Sequence, residues 1–186
     1  MCSGNGTNFQ NIVTNPVCNT NEVVLMIHNT KHCGAVKRAA KFGIPHVRVP
    51  HKEEDQMIKL FETWRVDLIV LAGYMRVLKN PAAFPAPIIN IHPSLLPKYK
   101  GLHAIEQALD SGDDVTGVSV HYVNEELDGG EIILQQKVPI LPDDDLDSLT
   151  KAIQRIEYAI LPAAIEEFNQ MRITEPPTVT SPFDII

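Results

Sequence analysis

The sequence predicts an α/β fold, with a mostly parallel central sheet flanked by helices and an antiparallel extension in the C-terminal half. Three observations predict it. Short apolar, β-branched runs alternate with stretches of helical period through the first hundred residues. Two longer β runs then follow each other closely, and a long amphipathic segment comes after them. A length of 186 residues with 44% hydrophobic and 21% charged side chains suits one domain with a real core, and excludes collagen-like, coiled-coil and wholly disordered chains.

Each element has its own signal. Ser3-Gly4-Asn5-Gly6-Thr7-Asn8 is a glycine-rich turn that leads into a helix start over Phe9–Val13. The runs Glu22–His28, Pro45–Val49, Leu68–Ala72 and Ile88–Ile91 read as strands of a parallel sheet, the last of them buried. Between the first two, Gly34–Phe42 reads as a helix ended by Gly43, a good residue for the left-handed position after a helix. Glu53–Arg65 puts Met57, Phe61 and Trp64 on one helical stripe, with acids in the first turn where the dipole favours them. A short helix is expected over His103–Asp110. The β runs Val115–Val123 and Glu131–Val138 read as a hairpin or as neighbouring antiparallel strands. In the first, period two sends Val118, Val120 and Tyr122 to one face and Gly117, Ser119 and His121 to the other. The run Asp143-Asp144-Asp145 reads as a solvated loop that caps the last helix. That helix spans Leu146–Met171, with Leu149, Ile153, Ile156 and Ile160 on one stripe and a kink or break expected at Pro162. We expect one domain over residues 1–173 and a proline-containing tail over 174–186.

Sixteen basic against twenty-three acidic side chains leave a formal charge of -7, which argues against a nucleic-acid partner. The strongest apolar run, Leu68–Ala72, is far shorter than the roughly 20 residues of a membrane helix, and no signal segment opens the chain. The expectation is a cytoplasmic protein with no membrane partner. Cys2, Cys18 and Cys33 form an odd set without C-x-x-C spacing, so neither a disulfide framework nor a zinc site is signalled. Seven histidines show no recognised ligand pattern, and no metal is expected.

Three constellations carry chemistry. In the first, Gly4, Asn5, Gly6, Thr7 and Asn8 turn the backbone so that successive N–H groups face outward at a helix start, a favourable place for a phosphate. An ordinary capped turn is the alternative. The dinucleotide fingerprint G-x-G-x-x-G is incomplete, and no acid closes the second strand. In the second, Asn90 and His92 share one side of a strand's carboxyl end, where open α/β sheets bind ligands. An amide donor beside an imidazole suits polarising a carbonyl and moving a proton. In the third, Leu127-Asp128-Gly129-Gly130 is a strong turn signal. If that turn folds back over the sheet, Asp128 lies beside His92 as an orienting carboxylate or a proton acceptor.

In this order, SGNGTN, AGYMR, NIHPSLLPKYKG, TGVSVHYV and LDGGEIILQ resemble the formyltransferase family, and the resemblance covers nearly the whole chain. It implies a Rossmann-like fold. It also implies transfer of a formyl group from 10-formyltetrahydrofolate, as co-substrate, to the amine of glycinamide ribonucleotide in purine biosynthesis, by a monomer or homodimer. By position, Asn90, His92 and Asp128 match the family's catalytic Asn, His and Asp, and Gly6, Thr7 and Asn8 its phosphate-holding segment. Gln154 and Glu157 match residues that touch the ribonucleotide, Met75, Arg76, Val77 and Leu78 match the segment that lines the folate pocket, largely through backbone groups, and Ser119 and His121, on one strand face, are expected to support the catalytic groups.

Two departures from that pattern stand out. The family places a hydrophobic central strand before the glycine loop, whereas only Met1 and Cys2 precede Ser3. The sheet is therefore expected to lack its first central strand, either because the sequence is incomplete at its start or because another segment, such as Thr178–Ile186, compensates. His51-Lys52-Glu53-Glu54-Asp55 is short and lacks the arginine that meets the ribonucleotide, with Lys52 the nearest substitute. Competing readings are a formyltetrahydrofolate deformylase, a methionyl-tRNA formyltransferase, which needs a further RNA-binding domain, and an inactive folate- or nucleotide-binding module.

Overall fold

The computed structural model describes residues 1–174; the expected tail beyond them, with the compensating segment Thr178–Ile186, lies outside the described residues. Six strands and five helices are arranged as α1 (Thr7–Thr14), β1 (Met26–His28), α2 (Ala35–Lys41), β2 (His46–Arg48), α3 (Glu54–Thr63), β3 (Ile69–Leu71), β4 (Ile88–His92), α4 (Ala104–Ser111), β5 (Val115–Tyr122), β6 (Ile132–Pro139) and α5 (Leu146–Thr174). β1 and β2 pair in parallel, as do β3 and β4, whereas β4–β5 and β5–β6 are antiparallel. The fold is thus the expected α/β sheet with an antiparallel extension.

The middle of the sheet carries the departure seen in the sequence. Met1–Ser3 lies between β1 and β3: Cys2 N–H donates to the Ile27 carbonyl at 2.9 Å, Ala72 N–H to Met1 at 3.0 Å and Ser3 N–H to Gly73 at 2.9 Å. A cavity of about 830 Å³ beside Met1 is lined by Phe9, Leu25, Phe61, Ile69, Ile165 and Phe168 among others. Val23–Leu25, expected as strand, borders that cavity rather than another strand.

Alternation along the strands divides the core in two. Ile89, Ile91, Val118 and Val120 pack with Ile153, Leu161 and Ile165 of α5, while Ile69, Leu71 and Ile88 pack with Met57 and Phe61 of α3. Asn90 and His92 therefore leave β4 on the face that Ile88 begins. Two expectations need correction. Trp64 does not join the buried stripe of α3, because the helix closes at Thr63, Arg65 turns left-handed (φ 48°), and the indole is 40% exposed.

α5 also runs through Pro162 without a break. Proline has no N–H to give the carbonyl four residues earlier. That carbonyl, on Tyr158, instead accepts from the Asn11 side-chain amide of α1 at 2.8 Å. The start of α5 is capped as expected: Asp145 Oδ1 accepts from Ser148 N–H at 2.8 Å, and Asp145 N–H donates to Ser148 Oγ at 2.9 Å.

Candidate active site

Period two and antiparallel register assemble the centre of the site. Asn90 stands opposite His121, and His92 opposite Ser119, across the β4–β5 pair. Asn90 Nδ2 lies 3.2 Å from His121 Nε2, and His121 Nδ1 donates to the Tyr122 carbonyl at 2.8 Å. A carbonyl only accepts, so neutral His121 carries its hydrogen on Nδ1 and offers Nε2 as acceptor to the Asn90 amide. One Asn90 N–H is thereby tied back, and the other remains for a ligand.

Asp128 reaches the pair from the β5–β6 connection in a left-handed conformation (φ 47°) that aspartate tolerates better than most residues. Its Oδ2 lies 3.5 Å from His92 Nδ1 and its Oδ1 3.6 Å from His121 Nε2; Gly101 N–H donates to Oδ2 at 2.7 Å. Burial pushes this carboxyl up, but the His121 imidazole beside it, the Gly101 N–H bond and the nearby His92 ring outweigh it, holding the group below its ordinary value. The carboxylate is ionised at neutral pH. The turn over Gly129-Gly130 folds too closely for side chains, since a Cβ on Gly130 would stand 1.8 Å from the Tyr122 carbonyl oxygen.

Ser119 is a hub under the loop that follows His92. Its hydroxyl donates to the Ser94 carbonyl at 2.7 Å and accepts from Leu96 N–H at 3.1 Å and Gln135 Nε2 at 2.8 Å. Leu95 sits where Gly117 has no side chain, as a Cβ there would approach its Cδ2 to 2.5 Å.

The glycine loop leads into α1 with Gly6 at φ 71° in the N-cap position. A Cβ on Gly6 would meet Ala35 Cβ at 2.5 Å, so the loop packs directly on the start of α2. It is held from several sides: Arg38 Nε donates to the Asn5 carbonyl at 2.7 Å, Thr30 Oγ1 to Ser3 at 2.9 Å, and Cys33 Sγ to Gly4 at 3.2 Å. Asn8 gives its amide to Glu157 Oε2 at 3.0 Å, while its own Oδ1 is buried without a partner. Burial raises the Glu157 carboxyl, and the Asn8 bond offsets part of the rise. Gln154 is exposed on α5 three residues before Glu157.

Met75–Leu78 forms a ledge after β3. Met75 and Val77 are each 66% exposed and Arg76 is exposed, whereas Leu78 is buried in the α3-side core. The ledge is fastened by Met75 N–H to Ser3 Oγ at 2.8 Å and by Lys79 N–H to Glu54 Oε1 at 2.7 Å. A separate cavity of about 730 Å³ lies between Pro81–Ile88 and Val123–Glu126, the stretch that leads into Asp128. Lys52 is exposed in the turn before α3. Among the described residues no group of three or more His, Cys, Asp or Glu stands close enough to hold a metal, and no helix is long and apolar enough to cross a membrane.

The structure thus brings Asn90, His92, Asp128, Ser119 and His121 into one cluster and joins Asn8 to Glu157. Sequence reasoning missed Arg38, Thr30, Gln135 and Asn11. Only Gln135 had a readable signal, its period-two position opposite Ser119.

Residues 1–165 match the family described as Formyl transferase. The phosphoribosylglycinamide formyltransferase of Haemophilus influenzae is 38% identical over 186 residues, covering 93% of this chain and 87% of its own length. The trifunctional purine biosynthetic protein adenosine-3 of Drosophila melanogaster is 41% identical over 178 residues, 89% of this chain but only 13% of that protein. The crystal structure of phosphoribosylglycinamide formyltransferase from Bacillus halodurans superposes with a TM-score of 0.85 at 36% identity, covering 94% of each chain. With the matched region spanning the sheet, the glycine loop and the Asn90–His92–Asp128 cluster, the chain belongs to the formyl transferase family.

Proposed function

We propose that this protein transfers the formyl group of 10-formyltetrahydrofolate to the amine of glycinamide ribonucleotide, giving formylglycinamide ribonucleotide and tetrahydrofolate in purine biosynthesis. The observation that carries the reading is the convergence of an amide donor, an imidazole and an ionised carboxylate on one face of β4. The amine attacks the formyl carbon, and the carbonyl oxygen becomes an oxyanion that Asn90 and His92 stabilise by hydrogen bonds. Asp128 accepts the amine proton through water, the bond from carbon to the folate nitrogen breaks, and that nitrogen takes a proton.

Gly4, Asn5, Gly6, Thr7 and Asn8 hold the phosphate at the α1 start, and Gln154 and Glu157 contact the ribonucleotide, whose hydroxyls are suited donors for the orphaned Asn8 Oδ1. The exposed Met75, Arg76 and Val77 ledge, backed by Leu78, receives the flat folate ring. Ser119 and His121 hold the loop and the Asn90 amide. The folate and ribonucleotide substrates belong to the cytoplasm, and we place the protein there.

The test is turnover of formylfolate with and without glycinamide ribonucleotide. Amine-dependent transfer supports the reading. Loss of the formyl group to water without amine supports a hydrolase, and binding without turnover supports a non-catalytic module. Asn90→Ala and Asp128→Ala are expected to fold and to lose about 10²–10³ in kcat; near-normal turnover in either refutes the assigned roles.

A further inference from the structure

The loop after His92 touches both members of the His92–Asp128 pair, and it does so with opposite polarity. The Tyr99 carbonyl lies 2.8 Å from His92 Nε2, and two residues later Gly101 N–H donates to Asp128 Oδ2 at 2.7 Å. A carbonyl has no hydrogen to give, so Nε2 must carry one in both the neutral and the charged imidazole. The ring nitrogen left to gain and lose a proton is Nδ1, which faces Asp128 at 3.5 Å. We infer that Tyr99 is a positioning residue that fixes the tautomer of His92, so that Nδ1 is the ring nitrogen left to take up a proton and meet the oxyanion.

The Tyr99 carbonyl points at His92 through an unfavourable backbone. Tyr99 has φ 55°, a left-handed conformation that a bulky residue rarely adopts. Its own side chain holds it there. The phenol oxygen lies between the Asp113 carboxylate and Ser111 Oγ, 2.8 Å from the latter. Ser111 Oγ donates to the Ala108 carbonyl in the last turn of α4, and Lys98 Nζ pairs with Asp113 at 2.6 Å. The ring tip is thus bolted to the end of α4 while its backbone serves His92.

Other charged groups surround the imidazole. Asp128 faces Nδ1, and His121 of β5 shares the second carboxylate oxygen. The Lys100–Glu126 pair links the Tyr99 loop to the turn that carries Asp128. Only a ring that carries a hydrogen on Nδ1 as well as on Nε2 can donate toward an oxyanion from the side that faces Asp128.

The inference deepens the formyl-transfer reading, and its first measurement stands without it. Nitrogen-15 spectra of histidine-labelled, ligand-free protein across pH report which ring nitrogen of neutral His92 bears hydrogen. We expect Nε2–H in the wild-type protein. Tyr99→Phe, which deletes only the anchoring hydroxyl, is expected to admit the Nδ1–H tautomer. It should also lower kcat by about tenfold and shift its pH profile, with KM for both substrates within about twofold. Asp113→Asn tests the same anchor should Tyr99→Phe not fold. A wild-type spectrum showing Nδ1–H overturns the inference, as do anchor variants with wild-type tautomer and pH profile. Absence of formyl transfer in the wild-type protein defeats the functional reading instead and leaves the spectra to decide this one.

Discussion

The Asn11–Pro162 relation makes a stability prediction that isolates one hydrogen bond. Proline 162 deprives the Tyr158 carbonyl of its helical donor, and the Asn11 amide replaces that donor at 2.8 Å. Asn11→Ala removes a bond worth about 0.5–1.5 kcal/mol and strands a half-buried carbonyl, a penalty of about 1–3 kcal/mol when water cannot reach it. Because the site is only partly buried, we expect a loss of about 1–2 kcal/mol, or roughly 2–8 °C in Tm for a chain of this size. Pro162→Ala restores the missing N–H, so in that background Asn11→Ala should cost no more than about 0.5 kcal/mol. A double-mutant cycle by urea unfolding, monitored by circular dichroism, reads the difference directly. Equal costs in the two backgrounds would refute the account of how α5 passes its proline.

Other outcomes follow from buried polar groups. The Tyr74 hydroxyl is buried without a partner, and burial, followed by the Glu54 charge, pushes it up to about 12. Tyr74→Phe should therefore raise stability by about 1 kcal/mol, and a lower Tm would show that the hydroxyl is satisfied in solution. Glu157 has a raised carboxyl, so folding favours its protonated form; its contribution is full below its ordinary 4.5 and is lost as pH rises through the folded value. Glu157→Gln should accordingly melt higher than wild type at pH 7, with the gap closing below pH 4.5, while KM for glycinamide ribonucleotide rises. A gap that persists or widens in acid contradicts the sign. Asp128 titrates below its ordinary 3.8, so the stability it lends is present above that value and fades as pH falls through the folded one; Asp128→Asn should flatten acid unfolding only in that range.

The parts legible in the sequence were those with local rules. Period two put Asn90 with His92 and Ser119 with His121, and the β4–β5 register then set each pair opposite the other. Gly43 takes the left-handed position after α2, at φ 68°. What the sequence did not reveal depends on contacts distant along the chain. Pro162 reads as a break because helix rules do not see an amide 151 residues upstream. Trp64 reads as part of the stripe because the apolar spacing continues one residue past the helix end. The tyrosine that fixes an imidazole does so through a carbonyl, which every residue has, so no residue type advertises it. Asp128 was readable as a turn, and its approach to His92 required the whole hairpin to be placed.

Among the described residues, the Met1–Ser3 segment hydrogen-bonds on one side to Ile27 of β1 and on the other to Ala72 and Gly73, which follow β3. The glycine loop continues directly from that segment, so a phosphate seated there would slow amide exchange on both sides of it at once and act as a clasp between β1 and β3.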